Sequence, residues 1–291
     1  MMKFLMPLIL FWTILLASGT ESKAQEIQRP AIWGIAKMTF LVSDFQLARD
    51  YYGKFLGFDE AFSYPSDLGK IISFKVNDRQ FLEFVSDVEA KSKKRLFSVS
   101  FETENVEQMR QYLKSKGQNV PEKTIIDGAG NEVFSINDPS GNRIEFISLN
   151  ASGLHRQSKG KYLSDRRIAK RIHHAGLFAE KIEDNDPFYA KILNFKEIMR
   201  YPDDRNAVPL MLYLSMDDCI ENIEIFPSTD PNVCHPCFLV DDMQETIYTL
   251  KERRESESLG KPMIGKGRRW ILNIANADKT RVEFTEAHTV R

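Results

Sequence analysis

Thiols are scarce in this sequence: among 291 residues there are three cysteines, Cys219, Cys234 and Cys237. Three cannot build a framework of several disulfides, and an odd number leaves at least one thiol free. Cys234 and Cys237 have the spacing of a redox pair, but the segment Cys234 to Val240 reads as a strand. Residues three apart on a strand face opposite ways with Cα atoms about 10 Å apart, too far for a disulfide. A bridge between Cys219 and Cys234 stays open. An excess of one charge is also lacking, with 40 basic against 41 acidic residues. Without a basic field there is no basis for a nucleic-acid partner. The apolar run from Phe4 to Ala17 is too short to span a membrane, which takes about 18 residues. Lys3 before it and Ser22-Lys23-Ala24 after it form the pattern of a secretory signal over residues 1–24. Loss of Lys3, Lys23 and Glu21 would leave 38 basic and 40 acidic residues, a net charge near −2. The expectation is a secreted or periplasmic protein with no membrane contact after cleavage. No cysteine lies near the cleavage point, so a lipid anchor is not expected.

What the chain does have is a repeat. Ile35 to Val42 reads as a strand, followed by an amphipathic helix from Phe45 to about Phe55 and three strand-like runs near 60–64, 69–76 and 80–86. The order restarts with a strand at 97–102, a helix at 105–116 and strands near 122–126, 131–137 and 143–148. Each unit is βαβββ, and two units fill residues 31–150. The same order recurs after residue 171. A strand at 173–179 leads to a helix around 185–193 and strands near 196–200, 208–215 and 221–226. A strand at 234–240 then leads to a helix from 242 to about 254 and strands near 262–264, 269–275 and 281–285. Residues 151–170, with Arg156, Lys159, Lys161, Arg166, Arg167 and Lys170, read as a solvated linker with a short helix after Ser164. The predicted class is therefore α+β, four βαβββ modules in two tandem halves, 31–150 and 171–290.

The repeat resembles the vicinal-oxygen-chelate superfamily, which includes glyoxalase I, extradiol dioxygenases and bleomycin-resistance proteins. In the first half the resemblance rests on Val42-Ser-Asp44, Tyr51-Tyr-Gly-Lys-Phe-Leu-Gly-Phe58 and Asp138-Pro-Ser-Gly-Asn-Arg-Ile-Glu-Phe146. In the second it rests on His174-Ala-Gly-Leu-Phe178, Phe188-Tyr-Ala-Lys-Ile-Leu-Asn-Phe195, His235-Pro-Cys-Phe-Leu-Val-Asp-Asp242 and Arg281-Val-Glu-Phe284. Each motif alone is weak; their order over four modules carries the likeness. It implies two tandem half-barrel domains, each with a metal position supplied by the first and last strands of its modules. Carried over, these positions are His174, Glu224, His235 and Glu283 in the second half and Lys37, Glu83, Ser98 and Glu145 in the first. The spacing between halves is nearly constant: Lys37 to His174 is 137 residues, Glu83 to Glu224 141, Ser98 to His235 137 and Glu145 to Glu283 138.

The two sets differ in chemistry. Two neutral imidazoles and two carboxylates balance one divalent ion, with Zn, Ni, Mn or Fe(II) compatible with mixed N/O donors. In the first half Lys37 puts a cation where a cation would bind, so that half reads as a degenerate, metal-free domain. Its ammonium is expected between Glu83 and Glu145. The other histidines read as structural: His155 in the linker, His288 near the terminus, and His173 pointing away from His174. Strand parity adds Arg281, Phe178 and Cys237 as candidate substrate contacts, and Arg268-Arg269-Trp270 as a candidate for the mouth. The resemblance implies a metal-dependent lyase or isomerase of the glyoxalase kind, with a small substrate bearing vicinal oxygens, an enediolate and Glu283 as base. One alternative is an Fe(II) extradiol-type ring-cleaving dioxygenase using His174, His235 and Glu283. Against it, no histidine stands near Ile220, and Asn273 sits where a tyrosine is expected. Another alternative is a non-catalytic protein that sequesters a ligand in the half-barrel. The repeat is compatible with modules paired within one chain or exchanged in a homodimer.

Overall fold

The computed structural model describes residues 27–87, 94–216, 219–253, 259–276 and 278–290. The expected signal, residues 1–24, lies outside the described residues. The first half runs β1 (Ile32–Val42), α1 (Phe45–Ala48), β2 (Asp59–Ser66), β3 (Gly69–Lys75), β4 (Phe81–Ser86), β5 (Leu96–Thr103), α2 (Val106–Ser115), β6 (Ile125–Ile126), β7 (Glu132–Asn137) and β8 (Arg143–Ser148). A short helix, α3 (Leu154–Gln157), leads to the second half. That half runs β9 (Ile172–Ala179), α4 (Ile182–Asp186), β10 (Lys196–Tyr201), β11 (Met211–Ser215), β12 (Asn222–Pro227), β13 (His235–Val240), α5 (Met243–Arg253), β14 (Met263–Ile264), β15 (Trp270–Ala275) and β16 (Arg281–Glu286). All four βαβββ modules are therefore present.

Each half is one eight-stranded sheet, ordered β2-β3-β4-β1-β5-β8-β7-β6 and β10-β11-β12-β9-β13-β16-β15-β14. The first strands of the two modules lie side by side, and the last strands flank them. The four strands expected to carry the metal positions are thus the central four of each sheet. β1 is buried along most of its length, which is why it reads as a nearly unbroken apolar run rather than an alternation.

The helices seal one face of each sheet. The Asp44 side chain accepts from Gln46 N at 2.8 Å and the Asn105 side chain from Gln108 N at 2.8 Å, starting α1 and α2 with polar N-caps. In the first module of each half the expected regular helix is instead a short α segment that widens into a π-helix, over Arg49–Phe55 and Pro187–Ile192. The wider turn buries Tyr51, Tyr52 and Phe55 in one half and Phe188 and Tyr189 in the other. The halves share a core: Phe58 packs on Phe238 at 5.2 Å between ring centres and Phe101 on Phe195 at 5.7 Å. The Tyr112 hydroxyl donates to Ile192 O at 2.7 Å. Among the described residues no helix is long and apolar enough to cross a membrane.

The linker is a correction. The helix lies at Leu154–Gln157, before Ser164 rather than after it, and the segment is docked rather than solvated along its length. His155 is 1% exposed, its ring edge-on to Phe62 and Phe81 at 4.9 and 4.7 Å. Arg156 Nη2 donates to Glu102 at 2.6 Å, and Arg167 Nη1 donates to Val76 O at 2.8 Å. Arg166 Nη2 also donates to Lys54 O at 3.4 Å, so three of the six basic residues satisfy acceptors of the first half, although Lys159, Lys161, Arg166 and Lys170 are exposed as expected. The three cysteines are free, so Cys219 and Cys234 are not joined.

Candidate metal centre

In the second half His174 stands on β9, Glu224 on β12, His235 on β13 and Glu283 on β16. Pairing sets their positions: Gly176 of β9 lies opposite Glu224 on one side and opposite His235 on the other, while Cys237 lies opposite both His174 and Glu283. Gly176 is needed at this crossing because a Cβ there would come 2.1 Å from His235 Cε1. The residue at the same place in the first half is Thr39, opposite Ser98. Where Ser98 replaces the imidazole, the neighbouring strand carries the larger Thr39 in place of glycine. Gly176→Ala should push the His235 ring aside and weaken Mn(II) binding by about 10–100-fold, measured by titration calorimetry with circular dichroism as the check on folding. Unchanged affinity would show that His235 does not need this position to bind.

All four side chains are buried, and one donor atom from each lies within 4.8 Å of the others. Glu224 Oε2 is 3.3 Å from His174 Nε2 and 3.4 Å from His235 Nε2. Glu283 Oε1 is 3.6 Å from His174 Nε2, and Glu283 Oε2 is 4.0 Å from His235 Nε2. A divalent ion fits this donor set on an independent ground. His174 Nε2, His235 Nε2 and Glu224 Oε2 are buried with no hydrogen-bond partner, a costly state for three polar atoms on one centre. The remaining donors are held from behind. His235 Nδ1 donates to Val233 O at 2.8 Å, which leaves the Nε2 lone pair facing the centre. The Tyr213 hydroxyl donates to Glu224 Oε1 at 2.8 Å, and Arg281 Nη2 to Glu283 Oε2 at 2.8 Å. Arg281 is itself fixed by donating from Nε to Asn273 Oδ1 at 2.6 Å. Burial would raise the Glu224 carboxyl, but the two imidazoles outweigh it and hold it well below the usual range.

A cavity of about 580 Å³ opens beside this set, lined by His174, Glu224 and Glu283, with His235 behind them. Arg281 lines it, as parity predicts. Phe178 and Cys237 are not among its lining residues, which corrects their expected role. Cys237 is fully buried, its thiol pushed up by burial and by Glu283 and Glu224, and Phe178 instead lies under the Lys94 ammonium at 5.1 Å. Among the lining residues that the sequence did not single out, Tyr213 and His173 touch the donor set. Tyr213 sits opposite Glu224 in the β11–β12 pair, a partnership visible only once the hairpin register is known. His173 lines the cavity instead of pointing away, because β9 has a bulge there: Cys237 pairs with His174 but Phe238 pairs with Ile172. The first half has the equivalent irregularity at Ala36, between Ile35 and Lys37. His173 Nδ1 is 3.2 Å from His174 Nδ1, and its Nε2 accepts from Arg269 Nη1 at 3.1 Å. Burial, His174 and Arg269 push its pKa down to about 3, so the ring is neutral. The turn before Glu283 lacks the Asp-Pro-x-Gly-Asn pattern of the first half, yet Asn276 Oδ1 accepts from Thr280 N at 3.0 Å as Asp138 Oδ1 accepts from Asn142 N at 2.7 Å.

The first half places a cation at the corresponding point. Lys37 Nζ is 3.1 Å from Glu83, 3.3 Å from Glu145 and 3.7 Å from Asp127. Burial would lower the Lys37 pKa, but Glu145 and Glu83 outweigh it and raise it well above its usual value. His155, from the connector, brings an imidazole to the same cluster: its Nδ1 accepts from Asn131 at 2.9 Å and its Nε2 donates to Glu83 at 3.0 Å.

Residues 34–146 match the family model described as Glyoxalase/Bleomycin resistance protein/Dioxygenase superfamily. No curated protein matches the sequence. Among solved structures, the chain is similar to the 2,3-dioxygenase LapB from Pseudomonas sp. KL28, with a TM-score of 0.67 at 14% identity over 89% of this chain and 94% of that one. It is similar to an extradiol ring-cleaving dioxygenase from B. fuscum, with a TM-score of 0.68 at 15% identity over 89% and 73% of the two chains. The Mn(II)-bound glyoxalase from Novosphingobium aromaticivorans gives a TM-score of 0.68 at 15% identity over 88% and 83%. At these identities the likeness is one of fold. Residues 34–146 thus match the glyoxalase/bleomycin-resistance/dioxygenase superfamily by sequence, and the second half repeats the same sheet order.

Proposed function

We propose that this protein is an exported metal-dependent enzyme of the lyase or isomerase kind, acting on a small substrate with vicinal oxygens by way of an enediolate. The observation that carries this reading is the convergence of four buried donors, three of their atoms without hydrogen-bond partners. His174, Glu224, His235 and Glu283 would hold one divalent ion of the Zn, Ni, Mn or Fe(II) class. When bound, the ion supplies Lewis acidity to adjacent substrate oxygens and lowers the pKa of the neighbouring C–H bond. The two carboxylates balance its charge. Glu283 lines the cavity and is the group we assign to take the proton and return it. Arg281 orients the Glu283 carboxylate through Oε2, and Tyr213 holds Glu224 through Oε1. Ile198, Met211 and Ile220 add apolar surface to the cavity for the body of a small substrate.

The dioxygenase alternative calls for three protein donors with Glu224 outside the set. Glu224 Oε2 is instead nearly equidistant from the two imidazole nitrogens, which favours four. Elemental analysis of natively purified protein is expected to find one transition-metal ion per chain. An absence of metal would favour ligand sequestration, and two ions per chain would overturn the reading of Lys37 as a replacement for the ion. Ring cleavage of a catechol by the Fe(II)-reconstituted protein, read from its coloured product, would overturn the lyase or isomerase assignment.

A further inference from the structure

The cavity beside the four donors carries an uneven charge that the proposed reaction does not use. Its acidic lining residues are Glu224 and Glu283, both committed to the centre. Its lysine and arginine residues are Lys266, Arg269 and Arg281. Arg281 is taken up by Glu283 and Asn273. Arg269 and Lys266 have no carboxylate within ion-pair distance among the described residues. A guanidinium can only donate, so the hydrogen bond from Arg269 to His173 Nε2 engages a lone pair and leaves its charge uncompensated. Lys266 lies over the Tyr201 ring with Nζ 4.4 Å from the ring centre.

These two cations share a hairpin that closes the half-barrel. The turn between β14 and β15 is held by Gly265 N donating to Arg269 O at 2.8 Å and Arg268 N to Gly265 O at 2.9 Å. Val290 N donates to Arg268 O at 2.6 Å and ties the tail of the chain to the same turn. The hairpin reaches the opposite edge of the sheet: a Cβ on Gly267 would lie 3.3 Å from Met199 Sδ of β10, and Tyr201 is on the same strand. Arg269 therefore faces the cavity where the two ends of the sheet meet, separated from the donor His174 by the ring of His173. Between them the wall is apolar, with Met199, Met211 and Ile271, and methionine adapts to varied shapes.

We propose that the substrate carries an oxyanion, carboxylate or phosphate, apart from its two chelating oxygens, and that Arg269 and Lys266 hold it at the closing hairpin. This rests on the reading of the centre as a metal site for vicinal oxygens, and it narrows the substrate to a chelating head, an apolar body and an anionic end. With the divalent charge balanced by Glu224 and Glu283, the cations of the hairpin are the unbalanced charge in the cavity. Arginine offers paired donors that match the geometry of either oxyanion.

Titration calorimetry of the Mn(II)-loaded protein, without oxygen and at low salt, separates the possibilities with two matched pairs of chelators. One pair is 3,4-dihydroxyphenylacetate against 4-ethylcatechol, which share a head and differ in the carboxylate. The other is phosphoglycolohydroxamate against glycolohydroxamate, which differ in the phosphate. At least about a tenfold preference for the anionic member is expected in one pair, and that pair identifies the oxyanion. Arg269→Gln should erase the preference while Mn(II) occupancy stays unchanged. No preference in either pair, or a preference that survives both Arg269→Gln and Lys266→Gln, overturns the proposal and leaves the chelation reading standing. If Arg269→Gln also loses Mn(II), Lys266→Gln with its ion retained decides: an undiminished preference overturns the anionic role. Binding of Mn(II) with none of the four chelators would overturn the chelation reading as well.

Discussion

Replacing His235 with alanine is expected to lower Mn(II) affinity by more than about 1000-fold, equivalent to about 4 kcal/mol. His235 is fully buried, its Nδ1 is committed to Val233 O, and its Nε2 faces the centre with no other partner. Alanine removes one of the four converging donors and leaves the space of its ring to water, a neutral and weaker ligand. Calorimetric titration reads the loss directly. The near-native far-ultraviolet dichroism expected of the variant would separate it from unfolding, since the ring fills a polar centre and not the shared apolar core. An affinity within tenfold of the parent would remove His235 from the donor set.

Lys37→Met is expected to destabilise the fold by about 3–5 kcal/mol, because it leaves Glu83 and Glu145 facing one another without their cation. Denaturant unfolding measures this, and Lys37→Met combined with Glu83→Gln should recover part of it. The pH response of the same variant gives a second reading. Burial alone would raise the Glu83 carboxyl, but Lys37 and His155 bring it down to about 2 from the ordinary 4.5. A carboxyl whose pKa is depressed on folding stabilises fully above its unfolded value, and the contribution fades as the pH falls through the folded value. The parent should therefore keep this stabilisation above about pH 4.5 and lose it toward pH 2. Without Lys37 burial dominates, the carboxyl rises, and the loss should begin at higher pH. An acid unfolding midpoint unmoved by the substitution would show that the ion pair does not govern this part of the fold.

The module order and the four-donor set were legible because they are properties of spacing. Each donor falls at one strand position, and constant intervals between halves survive even where the residue type does not. His155 is structural, as expected, but the docking of 151–170 was not legible because the density of basic residues there describes solvation, whereas the docking depends on Phe62 and Phe81, which lie far away in sequence. Parity failed for His173 because alternation assumes an unbroken ladder, and the bulge on β9 turns that residue toward the cavity. Phe178 and Cys237 share the inward parity of the set but lie off the cavity, since parity fixes a face and not a position along it. Tyr213 had no local signal at all. Its role comes from register across a hairpin whose loop length is not encoded in any short motif.

The central seam of the second half joins β9 to β13, and each module brings one imidazole and one carboxylate to it. Neither module could grip an ion alone; the two act as jaws whose gap is set by the backbone pairing of Ala175 with Pro236 and Gly176 with His235. Residues that touch nothing in the cavity can therefore still tune its hold, by shifting one jaw against the other. On the proposed reading of the centre, metal affinity would gauge how tightly the two repeats are clasped.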